Sequence, residues 1–370
     1  MIESLSAVLR EISEPYSLET VTVDDPGPGE ALVRIVGAGM CHTDLFGRSG
    51  FLGETFLPAI LGHEGSGVVE KVGPGVTAVV PGDHVVLSFD SCGDCPACRA
   101  GQPSNCVAFE ILNLTGGRAD GTGCGRDASG AAVTTRWFGQ SSFGQYTLAT
   151  TRNMVKVDKS LPLELLGPLG CGLQTGAGAV LNAMRLAPGQ SLAVFGTGSV
   201  GLSAIMAAKL SGATDIVAVD LSAERRELAL ELGATRAVDG ADPQLVSTVR
   251  AGGSGLDLSF DTTGVTTAMS AAVEVLGRPG TCVLVGAGLE PFTAHPAALA
   301  GKTVSYIYEG SAIPQLFIPR LVELWKAGLF PFDRLIQRYP LAEINEAEAD
   351  ALAGKAIKPV LVMPPPSSPE

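Results

Sequence analysis

Charged residues, and basic residues most of all, are scarce in this sequence. Asp, Glu, Lys and Arg make up 17% of the 370 residues, and 25 Lys and Arg against 38 Asp and Glu give a formal net charge of −13. Together with 46% hydrophobic residues, this composition excludes a disordered chain. The shortage of basic residues argues against nucleic acid or an anionic membrane as the main partner, because phosphate contacts need a basic face.

Long uncharged apolar runs and fixed-period repeats are also missing. No segment approaches the roughly 20 apolar residues that span a bilayer. The N-terminal stretch MIESLSAVLREI has no basic region before its apolar residues. We therefore expect a cytoplasmic protein with no membrane-spanning segment. In that reducing compartment, clustered cysteines indicate a metal before a disulfide.

The pattern of the sequence changes near its middle. Turn signals such as PGPGE at 26–30 divide the first 160 residues into short apolar runs, which is typical of mostly antiparallel β structure. From about residue 174, strand-like and helical stretches alternate. The strand-like runs are 192–195, 216–219, 236–238, 257–260, 282–285 and 304–308. They predict an α/β fold: a Rossmann-type, doubly wound parallel six-stranded sheet beside a mostly β domain.

The glycine pattern Gly196-Thr-Gly198-Ser-Val200-Gly201 follows one of these strands and opens a helix. The glycines are needed for a tight turn, for close approach of backbone to a pyrophosphate, and for packing of helix on strand. A glycine-rich turn that binds no ligand is the alternative. The strand–turn–helix context favours a dinucleotide site, in which the helix N-terminus faces the phosphates.

Asp220 ends the next strand, 19 residues after Gly201. A carboxylate at this point accepts hydrogen bonds from an adenosine ribose and repels a 2′-phosphate, so the sequence favours NAD over NADP. Arg225 and Arg226 could soften that preference. Both could equally be solvated residues at the start of a helix, which is the favoured interpretation for Arg226.

Four of the eight cysteines, Cys92, Cys95, Cys98 and Cys106, have the spacing C-x2-C-x2-C-x7-C. Four thiolates on one short loop suit tetrahedral Zn²⁺ with no open position, which predicts a structural zinc lobe at about 90–108. An iron–sulfur cluster and free thiols are the alternatives. A bacterial ferredoxin pattern has its fourth cysteine after three residues and before proline, unlike this one.

Several longer motifs together resemble the zinc-dependent medium-chain alcohol dehydrogenases, over essentially the whole chain. They are GMCHTD at 39–44, GHEGSGVV at 62–69, the four-cysteine lobe, LGCGLQTGAGA at 169–179, FGTGSVG at 195–201 and GKAIKPV at 354–360. Within that family, FGQSSFGQY, LPLELLGPLGCG, FPFDRLI and GKAIKPVLV are similar to bacterial benzyl (aryl) alcohol and geraniol dehydrogenases. The resemblance implies a GroES-like catalytic domain at 1–170, an NAD-binding Rossmann domain at 171–310, and a return to the catalytic domain at 311–370.

Cys41, His63 and Cys171 are the catalytic zinc ligands that the resemblance implies. Spacing alone does not bring them together, and a single cysteine before a turn is more often a small buried hydrophobe. Two thiolates and an imidazole leave a fourth position for water or substrate oxygen, as a catalytic zinc site requires. The resemblance also implies a carboxylate near the metal, Glu64, and a partner that orients His63, Asp44.

The remaining implied roles concern the proton, the cofactor and the substrate. Thr43 takes the alcohol proton, His42 and Lys358 lie near the pyrophosphate, and Val285 contacts the cofactor. Many family members have a histidine that relays the proton where this sequence has Phe46, so the exit route of the proton stays open.

Aromatic residues are the expected walls of a substrate channel: Phe46, Phe89, Trp137 and Phe138. Aromatic walls suit a flat benzylic or allylic alcohol. The alternative is that these side chains belong simply to the core.

The resulting hypothesis is an NAD-dependent enzyme with two zinc ions per chain. It oxidises a primary aromatic or allylic alcohol reversibly to the aldehyde, by hydride transfer from a zinc-bound alkoxide. A dehydrogenase for aliphatic alcohols or polyols and a non-catalytic dinucleotide-binding redox sensor are the alternatives. The resemblance further implies a homo-oligomer, dimer or tetramer. Cys124 and Cys282 receive no role and are expected to be inert thiols.

Overall fold

The structure, a computed structural model, describes residues 1–50, 53, 56–118, 120–288 and 290–365. Within these residues the chain separates into two units. The first contains Met1–Cys171, Ile313–Arg320 and the chain from Asp333 onward, and the second contains Gly172–Ala312 and Leu321–Phe332.

Strands make up most of the regular structure in the described part of the first unit. In chain order the strands of both units are β1 (Ile2–Leu9), β2 (Ser17–Val23), β3 (Glu30–Gly39), β4 (Ala59–Ile60), β5 (Glu64–Val72), β6 (His84–Leu87), β7 (Gly125–Arg126), β8 (Ala132–Val133), β9 (Tyr146–Thr150), β10 (Met154–Val157), β11 (Ser191–Phe195), β12 (Asp215–Asp220), β13 (Arg236–Asp239), β14 (Leu256–Asp261), β15 (Leu276–Leu284), β16 (Lys302–Tyr306), β17 (Ile336–Pro340) and β18 (Lys358–Val362). Of these, β11 to β16 lie in the second unit.

The α-helices of the described residues have 4 to 13 residues. They are α1 (His42–Arg48), α2 (Pro96–Arg99), α3 (Phe109–Leu114), α4 (Leu163–Leu166), α5 (Gly172–Gly178), α6 (Ser199–Leu210), α7 (Ala223–Leu232), α8 (Leu245–Arg250), α9 (Thr266–Glu274), α10 (Pro314–Lys326) and α11 (Ile344–Leu352). Among the described residues, none of these helices is long and apolar enough to cross a membrane.

The larger sheet of the first unit positions most of the site residues. Over the described residues its order is β10-β6-β5-β3-β18-β17, and β9 also pairs with β3. β3 is antiparallel to β5 and to β18, with Gly39 opposite Glu64 of β5 and opposite Val360 of β18. The end of β3 therefore meets the beginnings of β5 and β18. This register places Cys41, His63 and Lys358 at the same end of these three strands.

The second unit contains the parallel sheet that the sequence predicts. In its described residues six parallel strands have the order β13-β12-β11-β14-β15-β16, with α6, α7 and α9 following β11, β12 and β14 in sequence. The predicted fold class is confirmed.

The last part of the chain divides differently from the expected return of 311–370 to the first domain. Residues 321–332 belong to the second unit. Leu321, Phe330 and Phe332 in this segment are buried, and the Trp325 and Phe332 rings lie 5.2 Å apart. Burial of these apolar side chains explains why residues 321–332 belong to the second unit.

Candidate functional site

Cys41, His63 and Cys171, far apart in sequence, meet in the first unit. Their ligand atoms and a Glu64 carboxylate oxygen all lie within 4.8 Å of one another, and His63 Nε2 is 3.2 Å from Cys171 Sγ. Cys41 follows β3 and caps α1, and His63 directly precedes β5. Close backbone packing completes the approach, because a Cβ on Gly167 would lie 2.1 Å from the Glu64 carbonyl oxygen.

The electrostatics of this cluster favour a bound cation. A hydrogen bond with Cys171 lowers the pKa of the Cys41 thiol well below its usual value, against the opposing effect of burial. Although burial disfavours its charged form, His63 has a pKa raised well above the usual value by the facing Asp44 carboxylate. The lowered pKa of Cys41 favours the thiolate, which is the form that binds zinc.

Asp44 holds two of these ligands in place. Its Oδ1 accepts hydrogen bonds from His63 Nδ1 at 2.9 Å, from the Gly62 N–H at 3.0 Å and from Trp137 Nε1 at 3.0 Å. Its Oδ2 accepts the Cys41 N–H at 3.1 Å. The structure therefore places Asp44 where the resemblance implies, beside His63, and adds a bond to the backbone of Cys41.

Lys358 has a different partner from the one expected. Its ammonium donates to both carboxylate oxygens of Glu64, at 3.0 and 2.9 Å, and to the Met40 carbonyl at 3.1 Å. These bonds use all three of its N–H donors, and the side chain is 1% exposed. Lys358 thus supports Glu64 beside the metal cluster, and its role near a pyrophosphate stays a prediction.

The charges of this buried pair influence one another. Burial raises the pKa of Glu64 to about 7, and Lys358 opposes that rise. Burial lowers the pKa of Lys358, but the facing charges of Glu64 and Cys41 raise it above its usual value. An ammonium held against the cluster compensates part of the negative charge that two thiolates and a carboxylate bring together.

Aromatic rings pack against His63. The Phe138 ring lies 4.6 Å from the His63 ring, and its other neighbours are Trp137 at 5.1 Å and Phe109 at 6.3 Å. Phe89 packs on Phe109 at 5.8 Å. Phe89, Trp137 and Phe138 are all buried in the core, at 2, 1 and 6% exposure. Their place in a substrate channel stays a prediction.

The helix α1 carries the other residues expected at the reaction centre. The Thr43 hydroxyl lies 3.8 Å from Cys41 Sγ, and both Thr43 and Phe46 are half-buried. His42 is exposed at the first position of the helix.

Gln140 is a site residue that the sequence analysis missed. It is fully buried, accepts a hydrogen bond from the Gly65 N–H at 3.0 Å, and donates to the carbonyls of His63 at 2.8 Å and Ser88 at 3.1 Å. It thus fixes the backbone on both sides of Glu64. A single glutamine between glycine and serine gives no sequence signal for this role.

The four lobe cysteines form the second cluster, with their sulfurs within 4.8 Å of one another. All are free thiols. Backbone N–H groups point at the sulfurs: those of Asp94 and Cys95 at Cys92 Sγ, and those of Cys92 and Ala108 at Cys106 Sγ. Backbone N–H groups lower the pKa of the Cys95 thiol to about 6, while burial raises that of Cys98 to about 12. This all-sulfur arrangement fits a structural zinc ion.

The glycine turn of the second unit has the geometry of a dinucleotide cradle. Gly196 has a φ of +86°, and a Cβ on Gly201 would lie 1.9 Å from the Gly196 carbonyl oxygen. Among the described residues, nothing lies within 4 Å of a Cβ placed on Gly198, which caps α6. Val200 lies in the first turn of that helix. The open side of the turn leaves space for a phosphate.

Residues at the ends of β12 and β15 complete this part of the second unit. Asp220 Oδ2 accepts the Thr197 N–H at 2.7 Å, so the carboxylate is tied to the glycine turn. Arg225 lies in the first turn of α7, and its backbone N–H donates to the Ser222 hydroxyl at 3.3 Å. Arg226 is half-buried, and its guanidinium donates to the Asp220 carbonyl at 2.7 Å. Val285 follows β15, and its carbonyl accepts the Tyr306 hydroxyl at 3.2 Å.

The two cysteines without an expected role are buried single thiols. Burial raises the pKa of Cys282 to about 12 and also raises that of Cys124. The Thr135 hydroxyl donates to Cys124 Sγ at 3.5 Å. A buried thiol of raised pKa is an inert one.

Comparisons with known proteins match both units. Residues 27–159 match the family described as "Alcohol dehydrogenase GroES-like domain", and residues 199–325 match "Zinc-binding dehydrogenase". The chain is 48% identical over 367 residues to a geraniol dehydrogenase of Castellaniella defragrans, covering 98% of each chain. It is 37% identical to an NDMA-dependent alcohol dehydrogenase of Amycolatopsis methanolica, covering 98% of this chain and 99% of the other.

Solved structures agree with these matches. A benzyl alcohol dehydrogenase from Acinetobacter calcoaceticus superimposes with a TM-score of 0.94 at 39% identity, covering 98% of this chain and all of the other. A zinc-binding alcohol dehydrogenase domain protein from Burkholderia ambifaria gives a TM-score of 0.95 at 46% identity, with 98 and 99% coverage.

Proposed function

The chain belongs to the zinc-dependent medium-chain alcohol dehydrogenases, and we propose that it oxidises primary aromatic or allylic alcohols reversibly to aldehydes with NAD. The observation that carries this proposal is the convergence of two thiols and an imidazole within 4.8 Å, with Asp44 behind the imidazole. This donor set is the one that a catalytic zinc ion with an open coordination position requires.

The metal's chemistry is that of a Lewis acid, which lowers the pKa of a coordinated alcohol toward neutrality. Cys41, His63 and Cys171 would hold it. Asp44 keeps the His63 ring in one orientation by accepting its Nδ1–H, and Glu64 with Lys358 balances the charge behind the cluster.

Thr43 is the proposed acceptor of the substrate's hydroxyl proton. Its own hydroxyl is 3.8 Å from a ligand sulfur and can accept and donate at once. Phe46, one helical turn further along α1, has no group that transfers a proton. The ribose of a bound cofactor, water or another base would take the proton from Thr43.

The aromatic character of the first unit supports the substrate class. Phe46, Phe89, Trp137 and Phe138 are the proposed walls, since Phe138 already lies against a metal ligand. The names of two relatives, a geraniol dehydrogenase and a benzyl alcohol dehydrogenase, point to allylic and benzylic alcohols respectively.

The cofactor site is proposed at the glycine turn and the strand ends of the second unit. Gly196, Gly198, Val200 and Gly201 would cradle the pyrophosphate, and Asp220 would bind the adenosine ribose. NAD accepts the hydride in this family. His42, Arg225 and Val285 are proposed as further cofactor contacts outside the glycine turn.

Metal stoichiometry and assembly belong to the same proposal. Two separate ligand clusters support two zinc ions per chain, one catalytic and one structural. We further propose a homo-oligomer in a reducing cytoplasm, where eight free thiols are stable.

A substrate panel combined with metal analysis tests the function. Benzyl, cinnamyl and geranyl alcohols should be oxidised with higher kcat/KM than aliphatic alcohols or polyols, as followed by the appearance of NADH. Preference for polyols would replace the proposed substrate class, and a dinucleotide-binding chain that oxidises none of them would be a redox sensor. Metal analysis should give about two zinc ions per chain.

A further inference from the structure

The indole of Trp137 is joined to the metal cluster by a single carboxylate, that of Asp44. Its Nε1 donates to Asp44 Oδ1 at 3.0 Å, and the side chain is 1% exposed. The same oxygen accepts His63 Nδ1 at 2.9 Å. One carboxylate oxygen therefore joins the indole to a metal ligand.

Packing fixes the indole in the orientation that this hydrogen bond needs. The Phe56 and Phe138 rings contact it edge to face, with centroids at 5.6 and 5.1 Å. A Cβ on Gly47 of α1 would lie 3.2 Å from Trp137 Cζ2, so the helix backbone packs directly on the ring. The N–H is thus held in place before any substrate or cofactor binds.

Phe138, the residue after Trp137, packs on the imidazole ring of His63. Phe138 has a φ of +52°, a left-handed conformation that is strained for a side chain of this size. This conformation sets its ring over His63 at 4.6 Å. The two neighbours constrain the imidazole together: Phe138 covers its face, and Trp137 fixes the carboxylate that accepts its Nδ1–H.

We propose that Trp137 is a positioning residue for the zinc site, acting through its N–H on Asp44 and so on His63 and Cys41. The proposal rests on the proposed zinc function. It differs from a place in the substrate wall, because a wall contributes through its surface and a positioning residue through its hydrogen bond. Loss of the bond leaves a buried carboxylate oxygen with one donor fewer and frees the imidazole to tilt.

The test compares Trp137→Phe with Trp325→Phe. The second tryptophan packs on Phe332 in the other unit, so it is a matched control for the same chemical change. Zinc affinity is measured by competition with a chromogenic chelator, and zinc of the four-cysteine lobe is the internal reference. Trp137→Phe should weaken zinc binding at the Cys41 site by about tenfold, the lower end of the range for direct partners of metal ligands, because Trp137 acts through Asp44. KM for benzyl alcohol should change much less than kcat, and Trp325→Phe should behave as the natural chain.

A shape-preserving replacement separates the hydrogen bond from packing. Benzothienylalanine at position 137, in a Trp325→Phe background, keeps the ring system but replaces the N–H with sulfur. It should weaken zinc binding as Trp137→Phe does, and it decides the question if Trp137→Phe does not fold. Unchanged zinc affinity with a raised KM for benzyl alcohol would place Trp137 in the pocket wall and overturn the proposal.

The two proposals fail in different ways. A natural chain that oxidises no alcohol of the panel contradicts the proposed function, while chelator competition still measures the effect of Trp137 on the metal. A normal enzyme whose zinc affinity is the same with benzothienylalanine contradicts only the positioning role.

Discussion

The two cysteine-containing clusters of the first unit are built in opposite ways. The lobe takes four sulfurs from residues 92–106 and satisfies them with backbone N–H groups of the same loop. The other cluster takes its ligands from Cys41, His63 and Cys171, of which the last two are 108 positions apart. Buried side chains from distant parts of the chain support these ligands. A local site needs only a loop, whereas a dispersed one needs the whole unit to be folded.

The supports differ in chemistry as well as in distance. Backbone N–H groups stabilise thiolates whatever the side chains are, so the lobe tolerates change around it. The dispersed cluster depends on a carboxylate, an ammonium, an indole and an amide, each already paired. Removing one member of such a network leaves its partner buried and unsatisfied.

The sharpest test of this contrast is Cys41→Ser, for which we expect the largest effect. Loss of Lewis-acid polarisation is worth several kcal/mol, so alcohol oxidation should fall by about 10³-fold or more. NADH binding, measured by fluorescence titration, should persist because the glycine turn lies in the other unit. Undiminished turnover would sink the proposed role of this cluster.

Cys98→Ser should instead act on folding. We expect loss of one zinc ion and a Tm lower by roughly 10 °C, because a structural zinc contributes directly to stability. Turnover per remaining zinc should fall far less than in Cys41→Ser. Metal analysis and calorimetry measure the two quantities, and equal losses of turnover in both variants would erase the distinction between the clusters.

Lys358→Met tests the supporting pair. It leaves the Glu64 carboxyl buried without its partner, which should cost about 3–5 kcal/mol in the free energy of unfolding. Urea unfolding followed by Trp137 fluorescence in a Trp325→Phe background reports on the first unit alone. The double variant Glu64→Gln/Lys358→Met should recover most of the loss. Normal stability with weakened NADH binding would restore the cofactor role that the sequence suggested.

The smallest effect is expected at Asp220, which ends β12 and accepts a hydrogen bond from the glycine turn. Asp220→Gly removes the carboxylate that repels a 2′-phosphate and should shift the ratio of kcat/KM for NAD and NADP by about tenfold toward NADP, since a lost interaction of 1.4 kcal/mol is a factor of ten. An unmoved ratio would show that the adenosine ribose binds elsewhere.

The same contrast explains what the sequence could predict. The lobe and the glycine turn follow from spacing, because all their parts lie within one short segment. Cys41, His63 and Cys171 came from family resemblance, since only the fold brings them together. The partner of Lys358, the N–H of Trp137 and the role of Gln140 depend on side-chain orientation after packing, which no local pattern encodes.

The pairing of β18 with β3 has a consequence for synthesis of the chain. Glu64 and Lys358 are 294 positions apart, so the ammonium that Glu64 needs is made long after the carboxylate. At ribosomal rates of about 5–20 residues per second, the roughly 190 residues between Cys171 and Lys358 take about 10–40 s to emerge. During that interval the edge of β3 that later receives β18 is open, while the second unit can complete its sheet. The nascent enzyme therefore passes through a stage in which all three metal ligands exist but the carboxylate beside them lacks its cation.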